Sequence, residues 1–215
     1  MTTLTAKKRK RLNQLKLLNT AGTYNTLKFE KESELFRKAV LMASLRKRIR
    51  LCKKCTGFNI PNETENAPGF GDLNSTIVFI GQSLCTQCME TEIPFTEASG
   101  YYIDAVLKLS NLQRKDVFIT NVVKCHPPAN RKSTKDEVAR CCKFLREELN
   151  IIKPKLIISL GTDARNTISN LMVFLKFKFE HFSVKHPASF FYSGNTGIPN
   201  WIITLSLKLD EYKEK

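Results

Sequence analysis

The chain has 215 residues, of which 42% are hydrophobic, and its 35 Lys and Arg against 20 Asp and Glu give a formal net charge of +15 at pH 7. This apolar content is enough to build a core, so the composition excludes a chain that is disordered throughout. No apolar run reaches the roughly 18 to 20 residues of a membrane-spanning helix, and the first residues lack the apolar stretch of a secretory signal. We therefore expect an intracellular protein with no membrane partner, in the cytoplasm or nucleoid, or in a nucleus if the source is a eukaryote or a nuclear virus.

Positive charge is concentrated at the start of the chain, where residues 1–29 contain no acidic side chain. The basic cluster within them consists of Lys7, Lys8, Arg9, Lys10 and Arg11. Such an arm contacts phosphates or acts as a localisation signal, whereas the alternative is a disordered terminus or a solvated helix. The net charge favours DNA or RNA as the partner over a role in solubility alone. We expect an arm over residues 1–29 and one folded domain over residues 30–215.

The predicted strands are short, β-branched and almost continuously apolar, as in a parallel sheet with both faces covered. They span residues 76–81, 116–123, 155–161 and, more briefly, 182–187. Helical spacing of apolar residues predicts a helix over residues 30–50, before the first strand. The alternation of strands and helices indicates an α/β fold of three layers, α/β/α, around a central, mostly parallel, four-stranded sheet.

Two helices are predicted between the strands, over residues 99–109 and 134–151. The second has Ser133 or Thr134 as its N-cap and Glu137 as the partner of a capping box. The last segment is ambiguous, because Asn200 can cap a helix while the alternating apolar residues after it also fit a strand.

Polar and aromatic side chains follow the predicted strands. Gly81 and Gln82 end the first strand, Asn121 lies in the second, and His186 ends the fourth, while Phe95 lies in a loop after the first. Ligands of an open parallel sheet bind beyond the carboxyl ends of its strands, so we expect these residues to meet. An amide, an imidazole and an aromatic ring can together hold a planar polar heterocycle.

The chain has seven cysteines, which in a reducing compartment are more often metal ligands or buried thiols than disulfides. Two C-x2-C pairs, Cys52 with Cys55 and Cys85 with Cys88, suggest a four-thiolate zinc site. The rival set replaces the second pair by Cys125 and Cys141 and suits an iron–sulfur cluster. Spacing alone does not choose between them.

The segment 120–131 reads TNVVKCHPPANR. It resembles the TNVVKC-x-PP-x-NR run of the uracil-DNA glycosylase superfamily, most closely its iron–sulfur branch, family 4, with family 5 next. Pro94-Phe95 with Gly100 and the run His186-Pro187-Ala188 resemble two further motifs of that family. The resemblance extends over about residues 46–192.

The resemblance implies a [4Fe-4S] cluster. The family holds it with a C-x2-C pair, the cysteine of NVVKC and a cysteine 16 residues later, which matches 141 − 125 = 16 here. The cluster is thereby carried onto Cys52, Cys55, Cys125 and Cys141. Cys142 is a neighbouring bystander, and zinc remains the alternative metal.

The resemblance also implies removal of uracil from DNA by cleavage of the N-glycosidic bond. Asn121 would read the edge of the base, and Phe95 would stack on the flipped base. His186 would donate to O2 as negative charge grows there, and backbone N–H groups after Gly81 would cap the pocket. Contacts to DNA would come from the basic arm and Arg131.

The first motif departs from the family, which has GEAPG followed by an acidic pair where residues 81–89 here read GQSLCTQCM. Gln82 is then left to position water, with Glu90 or Glu92 as substitute carboxylates. An alternative function is therefore a non-catalytic DNA-binding scaffold on the same fold, such as a subunit of a replication or transcription machine. We favour the enzyme, and we expect a monomer when the chain is on its own.

Overall fold

The computed structural model of the chain describes residues 26–194 and 196–213, so the predicted phosphate contacts of Lys7 to Arg11 lie outside the described residues. The chain divides into two compact units after Val40. The first helix, α1 (Thr26–Arg50), contributes to both units and begins four residues before the predicted start. The sheet lies entirely in the second unit, residues 41–215. Among the described helices, none is both long enough and apolar enough to cross a membrane.

The central sheet contains five strands among the described residues. They are β1 (Phe70–Gly71), β2 (Ile77–Ser83), β3 (Phe118–Val123), β4 (Leu156–Leu160) and β5 (Glu180–Val184). Their order is β1-β3-β2-β4-β5, with β1 antiparallel to β3 and every other pairing parallel. The α/β class is confirmed, and the sheet has five strands rather than four because β1, with two residues, is too short to leave a pattern in the sequence.

Within the part of the chain that the structure describes, five helices follow α1. They are α2 (Cys88–Thr91), α3 (Gly100–Leu109), α4 (Lys135–Ile152), α5 (Thr162–Leu171) and α6 (Ile198–Asp210), with short 3-10 turns over Pro128–Asn130, Met172–Phe174 and Pro187–Ser193. The last segment is a helix, but Asn200 is not its cap. Gly197, with φ of 87°, precedes α6, and Pro199 lies in the first turn, where its missing N–H needs no partner.

Successive side chains of the buried strands contribute to two apolar cores. Val78 and Ile80 of β2 pack on one face with residues 42–49 of α1 and with α4 and α5. Ile77 and Phe79 pack on the opposite face with α3 and α6. The sheet is therefore covered on both sides, as the continuous apolar runs predict.

A capping box starts α4. The Oγ1 of Thr134 accepts the N–H of Glu137 at 3.3 Å, and the Glu137 carboxylate accepts the N–H of Thr134 at 2.8 Å. The structure thus selects Thr134 over Ser133 as the N-cap. The hydroxyl of Ser133 is buried and has no hydrogen-bond partner among the described residues.

We expect Thr134→Ala to lower the free energy of unfolding by ~1 kcal/mol, because it removes the acceptor for an orphan N–H of α4. Urea denaturation followed by circular dichroism measures this change. Ser133→Ala is the matched control and should be close to neutral, because it removes a buried hydroxyl that bonds to no described group. Equal losses in both variants would contradict the assignment of the cap.

Candidate functional site

A cleft of about 670 Å³ opens at the carboxyl edge of the sheet. Its walls include residues 82–87 at the end of β2 and beyond it, residues 130–132 after β3, and residues 160–163 at the end of β4 and beyond it. His186 and the turn that follows it after β5 close the remaining side. The loops expected from the parallel topology therefore meet in one place.

Gly81, Phe95 and Asn121 lie together beside this cleft. Gly81 is the register partner of Asn121 across β2 and β3. A Cβ built on Gly81 would lie 2.3 Å from Cζ of Phe95 and 2.5 Å from Oδ1 of Asn121, so only glycine lets both side chains approach. The ring of Phe95 lies 5.7 Å from that of His186, centroid to centroid. The predicted amide, aromatic ring and imidazole are thus brought together.

The turn that presents Phe95 is held by a side chain that sequence reasoning missed. Phe95 has φ of 61°, in the left-handed region that costs energy for a residue with a Cβ. Arg114 stabilises this turn by donating to the carbonyls of Pro94, at 3.2 Å, and of Phe95. Its Nε also donates to Asp104 at 2.6 Å. Contacts from a guanidinium to backbone carbonyls leave no spacing signal in a sequence.

Two buried polar atoms at the site have no partner within the described chain. They are Oδ1 of Asn121, whose residue is 2% exposed, and Nε2 of Gln82. A buried polar atom without a hydrogen bond costs about 1 to 3 kcal/mol. A ligand with an N–H for Asn121 and an acceptor for Gln82 would remove that cost.

His186 is oriented by the main chain. Its Nδ1 accepts the N–H of Ala188 at 3.2 Å, so in the neutral ring the proton is on Nε2. Burial lowers the pKa of His186 below the ordinary value of 6.5, which keeps the ring neutral near pH 7. His186 therefore offers one N–H donor at the cleft.

The substitute carboxylates expected near the first motif are not in the cleft. Neither Glu90 nor Glu92 lines it, and Arg50 binds Glu92 through two hydrogen bonds of 2.6 Å. Among the described residues that line the cleft, the one carboxylate is Asp163, which lies 3.0 Å from Nζ of Lys132. Sequence reasoning missed Asp163 because it did not predict α5, whose first turn contains this residue.

Arg131, which the resemblance assigns to DNA contact, lines the cleft, and its charge is already paired. Glu137 accepts two hydrogen bonds from its guanidinium, at 2.9 and 2.6 Å. The guanidinium also lies 5.6 Å from the ring centroid of Phe58. Arg131 is thus held at the edge of the cleft by the same carboxylate that caps α4.

Four thiols line a second, smaller cavity. Its cysteines are Cys52, Cys55, Cys125 and Cys141. Burial, together with the neighbouring thiols, raises the pKa of Cys125 to about 12, and burial raises the pKa of Cys141 to about 11. These groups ionise only if a cation compensates their charge.

These thiols share a cavity, but their side chains are not placed as ligands of a metal ion. No three His, Cys, Asp or Glu side chains among the described residues are placed to bind one metal ion. Cys142 does not line the cavity and instead hydrogen-bonds the carbonyl of Ala139 at 3.2 Å. The four cysteines that the resemblance selects are therefore the four that share a cavity.

The second C-x2-C pair is a disulfide. Cys85 and Cys88 are bonded to each other in the loop after β2, so the expectation of metal ligands or free thiols was wrong for this pair. Three residues of separation and a Cα–Cα distance of 5.1 Å bring the two sulfurs within reach. The zinc set that joins this pair to Cys52 and Cys55 is not assembled, because the latter two line the other cavity.

Comparison with known proteins matches the chain to one superfamily. Residues 68–203 match a family model described as "Uracil DNA glycosylase superfamily". A type-4 uracil-DNA glycosylase of Thermotoga maritima is 40% identical over 113 residues, which are 52% of this chain and 59% of that protein. A type-4 uracil-DNA glycosylase of Pyrobaculum aerophilum is 35% identical over 129 residues, which are 60% of this chain and 66% of that protein. The matches thus span less than two thirds of these relatives' own lengths.

The fold also has a counterpart among solved structures. The crystal structure of wild-type SMUG2 from Pedobacter heparinus superposes with a TM-score of 0.53 at 10% sequence identity. The superposition covers 81% of this chain and 99% of that one. At this identity the likeness concerns the fold alone.

We expect the imidazole of His186 to titrate below the ordinary value of 6.5, because burial disfavours its charged form. The unfolded chain then binds a proton at a higher pH than the folded chain. The free energy of unfolding therefore rises with pH between the two pKa values and decreases as pH falls through 6.5. NMR titration of the ring measures the pKa, and His186→Gln should flatten this part of the stability profile. A pKa at or above 6.5 would contradict the neutral donor.

Proposed function

Because the chain belongs to the uracil-DNA glycosylase superfamily, we propose that it excises uracil, or a related deaminated base, from DNA by hydrolysing the N-glycosidic bond. DNA is then its partner, and base-excision repair is the class of process that it serves. The observation that carries the proposal is the buried Oδ1 of Asn121, which has no described partner and lies beside the ring of Phe95 at Gly81.

A uracil flipped out of the duplex offers Asn121 the groups that it lacks. The N3–H of uracil donates to Oδ1, and the Nδ2 amide donates to O4 of the base. Cytosine has no N3–H and has an amino group in place of O4, so both contacts fail and buried polar atoms stay unpaired. Phe95 supplies the apolar face on which the flipped base stacks.

His186 acts on the charge that develops during cleavage. As the N-glycosidic bond breaks, the sugar becomes cationic and negative charge accumulates on O2 of the departing uracil. The Nε2–H of neutral His186 donates to O2, and this hydrogen bond strengthens as the charge grows. The buried position supports the same role, because hydrogen bonds to charge are stronger where water is excluded.

Gln82 occupies the place of the family's first-motif carboxylate. Its amide carbonyl can accept a hydrogen bond from the attacking water and orient it, but an amide does not take up the proton. We therefore expect slower hydrolysis than in a chain with Glu at this position. Asp163, the carboxylate in the described cleft, is paired with Lys132.

The presence of Gln82 in place of the family's carboxylate favours a second candidate function, a non-catalytic DNA-binding scaffold that recognises uracil without removing it. The scaffold would present the same cleft as a subunit of a replication or transcription assembly. The two candidates differ in one product, the abasic site that only the enzyme leaves.

We further propose that Cys52, Cys55, Cys125 and Cys141 hold a [4Fe-4S] cluster. All four line one cavity, and the pKa values of Cys125 and Cys141 are too high for these thiols to ionise there without a cation. When bound, the cluster supplies that compensating charge and cross-links the chain. Its ligands come from the segment after α1, from the loop after β3 and from α4. The cysteines thereby fix the loop that follows Asn121, so the role of the site is structural.

We propose that the basic arm, residues 1–29, and Arg131 contact the DNA backbone. The arm contains a dense cluster of cations and no acidic residue. Arg131 lies at the cleft with its guanidinium held by Glu137, which orients it but leaves less net charge for phosphate.

Incubation with an oligonucleotide that contains one uracil, followed by alkali, should produce strand cleavage in catalytic amounts. Asn121→Ala should abolish the preference for uracil, and Asn121→Asp should cost more, because it loses the donor and sets a carboxylate against O4. His186→Ala should slow cleavage by ~10²-fold or more while sparing binding.

His181→Ala is the matched control, because this imidazole bonds Ser159 on the neighbouring strand and does not line the cleft. If cluster-loaded protein binds uracil-containing DNA but gives no product on single or double strands, the enzyme is refuted and the scaffold is supported.

Protein purified without oxygen should be brown and contain iron, with broad absorbance near ~400 nm. Cys125→Ser should lose iron and unfold at a lower temperature, because a ligand is removed. Cys142→Ser should keep both iron and stability, since this thiol lies outside the cavity. Stoichiometric zinc without iron, in protein made where clusters are assembled, would overturn the assignment.

A further inference from the structure

A buried ion pair lies directly behind Asn121, outside the cleft. It joins Lys124, one residue past β3, to Glu148 in α4, and the two side chains are 1% and 0% exposed. An ion pair buried this deeply gains little stability over apolar side chains of the same volume, because both charges lose their hydration. The hydrogen bonds that the two side chains make with their neighbours are therefore more informative about the role of the pair than its contribution to stability.

The ammonium of Lys124 uses three donors on three acceptors. Nζ donates to Oε2 of Glu148 at 2.6 Å and to Oγ1 of Thr120 at 2.6 Å. The third hydrogen bond, at 2.7 Å, goes to the backbone carbonyl of Asn121. Lys124 thus binds the main chain of Asn121, the residue proposed to read the base.

Glu148 holds the ammonium in this position. Its Oε2 also accepts the hydroxyl of Thr120 at 2.7 Å, and its Oε1 accepts the N–H of Gly69 at 2.9 Å. Arg46 of α1 donates to the carbonyl of the same Gly69 at 3.1 Å. The pair is therefore fully hydrogen-bonded and tied to α1 and to the segment before β1.

The location of the pair coincides with a gap in the sheet. On the β1 side, the ladder of β3 ends with Ile119 opposite Phe70 and resumes only at the bridge between Cys125 and Asn66. Gly69, the residue next to β1, donates its N–H to Glu148 instead of to β3. Asn121 lies within this gap, so a side chain replaces the neighbouring strand in holding it.

We propose that Lys124 is the positioning residue of Asn121, and that Glu148 keeps its ammonium on the Asn121 carbonyl. This rests on the proposed function and adds to it the origin of base selectivity. The amide of Asn121 distinguishes uracil from cytosine only while its donor and acceptor keep their direction. The main chain that carries this amide is fixed by a hydrogen bond from inside the protein.

The double variant Lys124→Met/Glu148→Gln tests this role. The amide introduced at position 148 is uncharged, yet its carbonyl still accepts from Gly69 and its N–H donates to Thr120. The Thr120 hydroxyl then accepts from the side chain at position 148 instead of donating to it, and the hydrogen bond to the Asn121 carbonyl is removed without replacement. We expect the ratio of affinities for oligonucleotides with uracil and with cytosine at one position to fall ~10-fold or more, with KM rising and iron content unchanged. Fluorescence anisotropy measures the affinities without any need for cleavage.

Two further variants separate positioning from stability. Ile168→Ala removes buried volume from the apolar core under α5 but leaves Lys124 on the Asn121 carbonyl, so it should unfold at a lower temperature yet retain its uracil preference. Arg48→Met/Glu147→Gln makes the same change in charge in an exposed pair between α1 and α4 and should alter neither property. A uracil preference that follows stability across the variants would overturn the proposal and leave the pair a purely structural role.

A wild-type protein without uracil preference in binding or in cleavage would refute the proposed function rather than this inference. In that case the crystal structure of the double variant tests whether Lys124 positions Asn121. An amide of Asn121 that is displaced or divided between two conformers supports the positioning role, and an unmoved amide overturns it.

Discussion

The register of β2 against β3 is the constraint on which the cleft depends. It sets Gly81 opposite Asn121 and thereby brings a missing Cβ, an amide and the ring of Phe95 to one point. Side chains alternate along a strand, so a slip of one residue would direct Asn121 to the other face of the sheet. All six residues of β3 are buried, and the two apolar cores on either side fit one register. The packing of the core therefore also determines the chemistry at the edge.

Sequence patterns predicted the parts of the structure that have a period or a motif. The strands β2, β3 and β4 are nearly continuous apolar runs, and the capping box of α4 is a local pattern that the structure confirms at Thr134 and Glu137. β1 was missed because its two residues take their conformation from β3 rather than from their own sequence. The helix α5 was also missed, because its ten residues contain three apolar side chains, Ala164, Ile168 and Leu171. The roles of Arg114 and Lys124 depend on contacts with backbone carbonyls, and these arise only after the chain has folded.

The interior of the described site is neutral, whereas the charged side chains lie around it in pairs. The groups that we propose to face a base are neutral: an amide, an aromatic ring and an imidazole whose pKa is lowered by burial. The charged groups around them are paired, as in Arg131 with Glu137 and Lys132 with Asp163. A neutral interior suits the recognition of an uncharged base, and on the proposed function the excess of cations would serve the phosphates outside.

The close approach at Gly81 also bears on the entropy of binding. The ring of Phe95 and the amide of Asn121 rest against main chain, which has no rotamers to exchange, and Phe95 is fixed by a turn that Arg114 holds. Side chains that are immobile before a ligand arrives lose little conformational entropy when it binds. Selectivity at such a site comes from a preorganised shape. A base whose shape is not complementary therefore meets a rigid surface that does not adapt to it.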